Sequence, residues 1–587
     1  LRNENLFDII IIIKAKRWLN MATFKSAIGL MLAIVMYITN GISAFIPGII
    51  TDPVSEDELP SLINNFDDVP LANEIIVVES GKVSFEERAA IQSLQGLIAR
   101  TEAKIFINYG MDSKSELQTL KDDGYTLSYT DENGDYWTLK NLVPRFASYI
   151  KDNGYVLYSD ANTHAQINLA FNYTTVYGWL AVPVSVEETV KALGLEKKHD
   201  LSTTVLDFTH ERDFYEAHKD EFRKDSLVHL YSYASGLRDF AVQQKIYITY
   251  VEDSDYVARA FRDMVFNDLE PSAMIMGWCM YEIKFTQCAS RFGHYVIPSD
   301  HSYNISLLRN VPTKATDFGQ DVTTPELDPT KHYVAIVYSD GDNAQWISNG
   351  YQEFHTWQSY EDMDIPLTWT FAPQMNTFSP TAVRKALANK DPEDSFITGP
   401  SGAGYARISM MAPSEVRAFS DLTAATMLES GLTTMTLLDK INNELEYASY
   451  SHKLEYFARY DNIKGGILQI DPDPYTNGYG GGRGRVFFAN DKPFISVGYS
   501  LWHPSGDISQ VTQEWIKEQA DVINTYPADI NSINGYTVIN VHPWTVSPAS
   551  LRYFVQNLGD NIEIISADEL IAAVTENVPH KDAKPER

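Results

Sequence analysis

Short, almost wholly apolar runs alternate along the chain with longer stretches whose apolar positions recur at helical spacing. That alternation predicts layered α/β structure. Glu74–Glu79 reads as a buried strand, and Phe85 to Arg100 as an amphipathic helix with Phe85, Ala89, Leu94, Leu97 and Ile98 near one face. Lys104–Asn108 is the next strand, Asp131-Glu132-Asn133-Gly134 a turn, and Leu139 to Ile150 a helix. The pattern restarts at Tyr155–Tyr158, with a helix over Ala165–Tyr177, a strand over Leu180–Val184 and a charged helix near Glu211–Asp225. A third unit runs from Lys245–Tyr250 through a helix at Tyr256–Phe266 to the strand Ala273–Trp278. These units predict three small α/β subdomains over 45–150, 151–244 and 245–330, the last including a linker at Asp317–Thr330.

Beyond the linker the rhythm changes. Strand-like runs recur at Val334–Tyr338, Pro366–Thr370, Phe396–Gly399, Thr434–Leu438, Gly465–Ile470, Phe494–Leu501, Thr537–Val541 and Ile562–Ile565, roughly 25 to 45 residues apart. Eight units with room for helices predict a (β/α)8 TIM-like barrel over 331–587. The alternative is an open doubly wound sheet, but a Gly-x-Gly-x-x-Gly turn does not open the first unit. The expected fold class is therefore α/β, small subdomains followed by a C-terminal TIM-like barrel.

In such a barrel the active site lies at the C-terminal strand ends. The first strand stops in Ser339-Asp340-Gly341-Asp342-Asn343. Two carboxylates at the end of a buried strand are costly unless water, a donor or a cation meets them. The plainer reading is an Asp-Gly turn into a helix, with Asp342 or Asn343 as its N-cap. Later strand ends bring Gly402-Ala403-Gly404-Tyr405, Asp439, Asp471-Pro472-Asp473, Trp502-His503 and His542-Pro543-Trp544. Gly478–Arg485 reads as a loop over the barrel mouth. Carboxylates among aromatic walls suit glycosidic-bond hydrolysis, where one acid protonates the leaving oxygen and a base or nucleophile stands opposite. The catalytic candidates are Asp340, Asp342, Asp471, Asp473 and Glu282, the last reaching in from the third subdomain. The substrate-binding candidates are Asn343, Gly402, Gly404, Tyr405, Asp439, Trp502, His503, His542 and Trp544.

Composition narrows the partners. With 47 basic and 78 acidic residues the net charge is −31, which argues against nucleic acid or an anionic membrane surface and favours a neutral substrate such as carbohydrate. Two cysteines, Cys279 and Cys288, exclude a disulfide scaffold and leave either one bond or two buried thiols. None of the 13 histidines has a partner four residues away, against a metal-dependent deacetylase-like hydrolase. No cofactor is expected; an oxygen-ligated ion such as Ca²⁺ at Asp340, Asp342 and Asn343 stays open. Lys25, the apolar run Ala27–Ile38 and small residues to Ala44 form a signal-peptide pattern starting at Met21, behind an upstream extension over 1–20. Export without stable membrane insertion follows; oligomeric state is not indicated.

The sequence also resembles the GxGYxYP family of glycoside hydrolases. The resemblance is carried by Gly402-Ala403-Gly404-Tyr405, the Ser339–Asn343 turn, Leu94–Arg100, Gly277-Trp278 with Glu282, Ser290–Gly293 and His542-Pro543-Trp544. It implies small N-terminal α/β subdomains, a barrel-like C-terminal domain and hydrolase activity on a poly- or oligosaccharide. The chain departs from the pattern after Tyr405, where Ala406-Arg407-Ile408 stand in place of x-Tyr-Pro. That departure keeps a non-catalytic carbohydrate-binding protein in view.

Overall fold

The computed structural model describes residues 53–63, 65–160, 164–203, 206–252, 256–312, 322–348, 363, 365–472 and 478–586. The expected signal segment and Asp473 lie outside the described residues. Three small parallel sheets come first. β1 (Leu71–Glu79) stands between β2 (Ala103–Asn108) and β3 (Thr126–Ser128), and β4 (Gly154–Tyr158) between β5 (Leu180–Pro183) and β6 (Glu196–Asp200). The third sheet has the order β10-β9-β7-β8, from β7 (Ser226–His229), β8 (Ile248–Thr249), β9 (Met274–Gly277) and β10 (Tyr295–Ile297). Ile75–Val78 of β1 and all of β7 and β9 are buried, as parallel strands covered on both faces must be.

Gly96 shows how the layers come together. It lies in the helix Phe85–Ile98, and a Cβ there would meet Asp239 O at 2.6 Å and Val242 Cβ at 2.7 Å. Only glycine lets this helix approach the helix Arg238–Gln244 so closely. Two expected elements differ. The charged helix near Glu211–Asp225 is shorter, Phe208–His218, and the chain then enters β7, so the third sheet begins before residue 245. Ser226–His229, a short strand with polar residues at both ends, is too brief for periodicity to reveal. The helix begun at Leu139 ends at Arg145, where Pro144 removes a backbone donor.

All eight expected C-terminal runs form strands. They are β11 (His332–Tyr338), β12 (Leu367–Phe371), β13 (Ser395–Thr398), β14 (Thr434–Lys440), β15 (Gly465–Asp471), the pair β17 (Lys492–Ser496) and β18 (Tyr499–Leu501), β19 (Tyr536–Val541) and β20 (Ile562–Ile564). β16 (Val486–Ala489) is additional and pairs antiparallel with β17 across a two-residue turn, Asn490-Asp491, with both φ positive. The strands fall into two hydrogen-bonded sheets rather than the single closed ring expected: β13-β12-β11-β19-β18 with β20 against β11, and β14-β15-β17-β16.

The two breaks have local causes. Between β13 and β14, hydroxyls replace backbone pairing: Thr436 N donates to Thr398 Oγ1 at 3.0 Å and Leu438 N to Ser401 Oγ at 2.8 Å. Between β17 and β18, consecutive residues feed opposite sheets. Val497 N donates to Leu468 O and Gly498 N to Val538 O, each at 2.9 Å. Cys279 and Cys288 are both buried, and no disulfide joins them. No helix among the described residues is long and apolar enough to cross a membrane.

Candidate active site

The C-terminal ends of β11, β14, β15 and β19 and of β9 and β10 border one cleft of about 420 Å³. On the C-terminal side, β11 leads into Asp340, whose φ of 71° is a left-handed conformation that aspartate tolerates better than most residues. Gly341 follows because there is no room for anything larger. Its N–H donates to Thr370 Oγ1 at 2.9 Å, and a Cβ would lie 1.7 Å from Thr370 O. Asn343 takes the capping role, its Oδ1 accepting from Trp346 N at 3.1 Å. That leaves Asp340 and Asp342 to the cleft, which both line.

The two aspartates have different surroundings. Asp340 accepts from Trp544 Nε1 at 2.5 Å and from Ser339 Oγ at 2.9 Å, and His542 Nε2 lies 3.8 Å away. Burial pushes the His542 imidazole below its ordinary value, against the pull of Asp340. Its ring stacks on Trp502 with centroids 3.4 Å apart. Asp342 is half-buried, and its carboxyl is pushed well above the ordinary carboxylate range. Desolvation is the larger cause, followed by the charges of Asp340 and Glu282. The protonated form of Asp342 is therefore favoured, while Asp340 is met by the Trp544 and Ser339 donors.

Glu282 lines the same cleft from the third sheet, as the first residue of the helix Glu282–Arg291 after β9. Tyr405 OH donates to Glu282 Oε1 at 2.8 Å, and Tyr479 OH approaches the same oxygen at 3.5 Å. Burial first and Glu282 second push both phenols well above their ordinary value, so both stay protonated donors. Tyr405 is placed by backbone pairing with β10, in which Val296 N donates to Tyr405 O and Tyr405 N to Val296 O, each at 2.8 Å. Gly404 permits this approach, since a Cβ would sit 2.5 Å from the Tyr295 ring.

Of the expected site residues, Asp340, Asp342, Asn343, Glu282, Tyr405, Trp502, His542 and Trp544 converge on the cleft. Others stand apart from its lining. Asp439 accepts from Ser409 N and Lys440 N, each at 2.7 Å, and holds a loop. Asp471 is 3.6 Å from Lys440 Nζ, and His503 packs on Trp515 and bonds Ser505 Oγ at 2.6 Å. Gly402 and Gly404 act through their lack of a side chain, Gly402 at φ 60° with Thr423 Cγ2 2.6 Å from its would-be Cβ.

Gln469 and Tyr479 line the cleft without being among the expected site residues, and Arg407, expected only as a departure from the family pattern, supports it. Gln469 was detectable as the one polar side chain within the apolar run Gly465–Ile470, and Tyr479 as the aromatic in a glycine-rich loop. Arg407, where the family pattern has tyrosine, is 1% exposed. It donates from Nη2 to Tyr405 OH and from Nε to Thr286 Oγ1, both at 3.0 Å. Tyr405 thus accepts from Arg407 and donates to Glu282. Among the described residues no three His, Cys, Asp or Glu side chains gather as a metal site.

Residues 330–575 match the model described as "GxGYxYP putative glycoside hydrolase C-terminal domain", and residues 226–310 match the "GxGYxYP third domain". No match was found among curated proteins. The solved structure of a "putative hydrolase" from Bacteroides thetaiotaomicron VPI-5482 aligns with a TM-score of 0.74 at 23% identity, over 90% of this chain and 99% of that one. It shares the fold. A "putative polysaccharide deacetylase" from Mycobacterium smegmatis aligns over 47% of this chain and 96% of its own at 13% identity, with a TM-score of only 0.26.

Proposed function

Because the chain belongs to the GxGYxYP family, we propose that it hydrolyses glycosidic bonds, with Asp342 as general acid and Glu282 as base or nucleophile. One observation carries this reading: Asp342 and Glu282 enter a single cleft from two different sheets. A glycosidase needs two carboxyl groups flanking the scissile bond, one protonated and one ionised. Burial and the neighbouring Asp340 keep the proton on Asp342 for delivery to the leaving oxygen. Glu282, which accepts the Tyr405 hydroxyl in the same cleft, receives a proton from water or attacks the anomeric carbon. Asp340 acts through its charge on Asp342 and through the donors that fix it. Trp502 and Trp544 supply faces on which a sugar ring can pack.

The test is turnover of a panel of poly- and oligosaccharides by the wild type, Asp342→Asn and Glu282→Gln. Each substitution is expected to lower kcat/KM by about 10²–10⁴-fold, the usual contribution of a positioned acid or base. Undiminished turnover in either variant refutes its assigned role. Tight glycan binding with no wild-type turnover would instead identify a carbohydrate-binding protein. The pattern at Met21–Ala44 supports action outside the cytoplasm, checked by fractionating cells that express the full chain.

A further inference from the structure

The floor of the cleft holds a polar pair that the proposed acid–base chemistry does not use. Gln469, on β15, lines the cleft yet is only 1% exposed, and Asn540, on β19, is fully buried behind it. Gln469 Nε2 donates to Asn540 Oδ1 at 3.3 Å, a long bond. Gln469 Oε1 and Asn540 Nδ2 make no hydrogen bond. Buried amides normally have their hydrogen-bonding capacity met, and an unmet group is costly. Gln469 lines the cleft, so its unmet Oε1 is an acceptor within reach of a ligand there, with Asn540 holding the amide from behind.

We propose that the Gln469 amide, held by Asn540, binds a ring hydroxyl of the substrate and selects a neutral sugar unit at that position. The inference rests on the cleft being the substrate site and adds to it the class of sugar that fits. A hydroxyl can donate, which the open Gln469 acceptor matches. The cleft is bordered by Asp340, Asp342 and Glu282, and no lysine or arginine among the described residues lines it. A uronic acid or sulfated sugar would bring a further negative charge to three carboxyl groups with no cation to meet it. A site built to bond a hydroxyl also discriminates strongly against an analogue lacking it, because its own buried groups are then left unpaired.

The experiment is isothermal titration of the full chain carrying Asp342→Asn, so that binding is read without turnover. The probes are cellotetraose, xylotetraose, mannotetraose and trigalacturonate. At least one neutral tetrasaccharide is expected to bind, trigalacturonate to bind at least tenfold more weakly, and Gln469→Met to weaken the neutral probe by tenfold or more. The unbranched methionine keeps the volume, and a matching thermal melt verifies folding. If Gln469→Met does not fold, Gln469→Glu replaces it and is expected to weaken the same probe by tenfold. Binding of the neutral probe within twofold of the parent in the folded variant overturns the proposal. So does preference for trigalacturonate, or no binding of any neutral probe. The hydrolase reading fails separately: probe binding that depends on Gln469, without wild-type turnover, removes the chemistry and keeps the subsite.

Discussion

Replacing Gly341 by alanine should damage fold and activity together, and the size of the effect follows from the geometry. Gly341 connects Asp340 to Asp342, and its φ is not in the left-handed region, so alanine meets no conformational objection there. The objection is space. A Cβ would lie 1.7 Å from Thr370 O, 2.1 Å from Thr370 C and 2.7 Å from Phe371 N. The nearest contact falls 1.3 Å short of 3.0 Å, a separation that real Cβ atoms respect. All three atoms are backbone of β12 and its exit, so no side-chain rotation relieves the clash, and the β11 turn must move instead. That movement breaks the Gly341 N–H bond to Thr370 Oγ1, about 1 kcal/mol. Overpacking adds about 1–3 kcal/mol, for a loss of about 2–4 kcal/mol. A displacement near 1 Å of both aspartates should also lower turnover about 10²-fold. Urea melts followed by tryptophan fluorescence, with kcat/KM on the best glycan, measure both. Gly81→Ala is the control, since nothing lies within 4 Å of its would-be Cβ. Wild-type stability and turnover in Gly341→Ala would refute this account of the turn.

Asp342→Asn should stabilise the protein increasingly as pH rises. A carboxyl whose folded pKa is raised contributes its stability fully below the unfolded value near 3.8 and loses it as pH climbs toward the folded value, a loss the amide escapes. Urea melts of both proteins between pH 4 and pH 8 check this, and a pH-independent difference would sink it. Arg407→Leu should destabilise by about 3–6 kcal/mol, since two bonds from a buried charged donor are lost at about 1.5–3 kcal/mol each. It should also lower kcat by freeing Tyr405 from Glu282; unchanged kcat in a folded variant would separate Arg407 from the site. Gly404→Ala should separate Tyr405 from β10, because a Cβ would sit 2.5 Å from Tyr295 Cδ2 and 2.7 Å from Ile297 Cδ1. Loss of the two 2.8 Å backbone bonds at Val296 predicts about 1–3 kcal/mol of lost stability, and wild-type melting behaviour would contradict it.

The strands were legible because their runs are apolar on both faces, a pattern that needs no knowledge of neighbours. Val334–Tyr338 and Thr537–Val541 could be placed from sequence and pair in register in the structure, Tyr338 opposite Val541. Closure was not legible. Whether β13 and β14 share a ladder is decided by Thr398 and Ser401 hydroxyls that intercept backbone donors, and nothing in local spacing signals that. The site divides the same way. Asp340 and Asp342 were visible because polar residues at the end of a buried strand require an explanation. Asp439 and Asp471 met the same criterion, yet the structure turns Asp439 to the Ser409 loop and sets Asp471 near Lys440. Being at a strand end fixes a residue's height on the rim and leaves its direction to the loops.

Direction here comes from the contact between the third sheet and the C-terminal sheets. Two β10-proximal bonds fix the Asp342 side, Ala344 N to Pro298 O at 2.8 Å and Gln345 Nε2 to Asp300 Oδ1 at 3.0 Å. The Val296–Tyr405 pairing fixes Tyr405, and through the Tyr405 hydroxyl it fixes Glu282. One edge strand, β10, therefore sets the spacing between the two carboxyl groups proposed to act on the bond. This gives a physical reason for Gly404, whose missing side chain lets that strand approach, and for the tolerance of Arg407 in place of an aromatic residue. What the position must do is support the Tyr405 hydroxyl, and a buried guanidinium does so with a 3.0 Å bond that leaves the hydroxyl's own proton directed at Glu282.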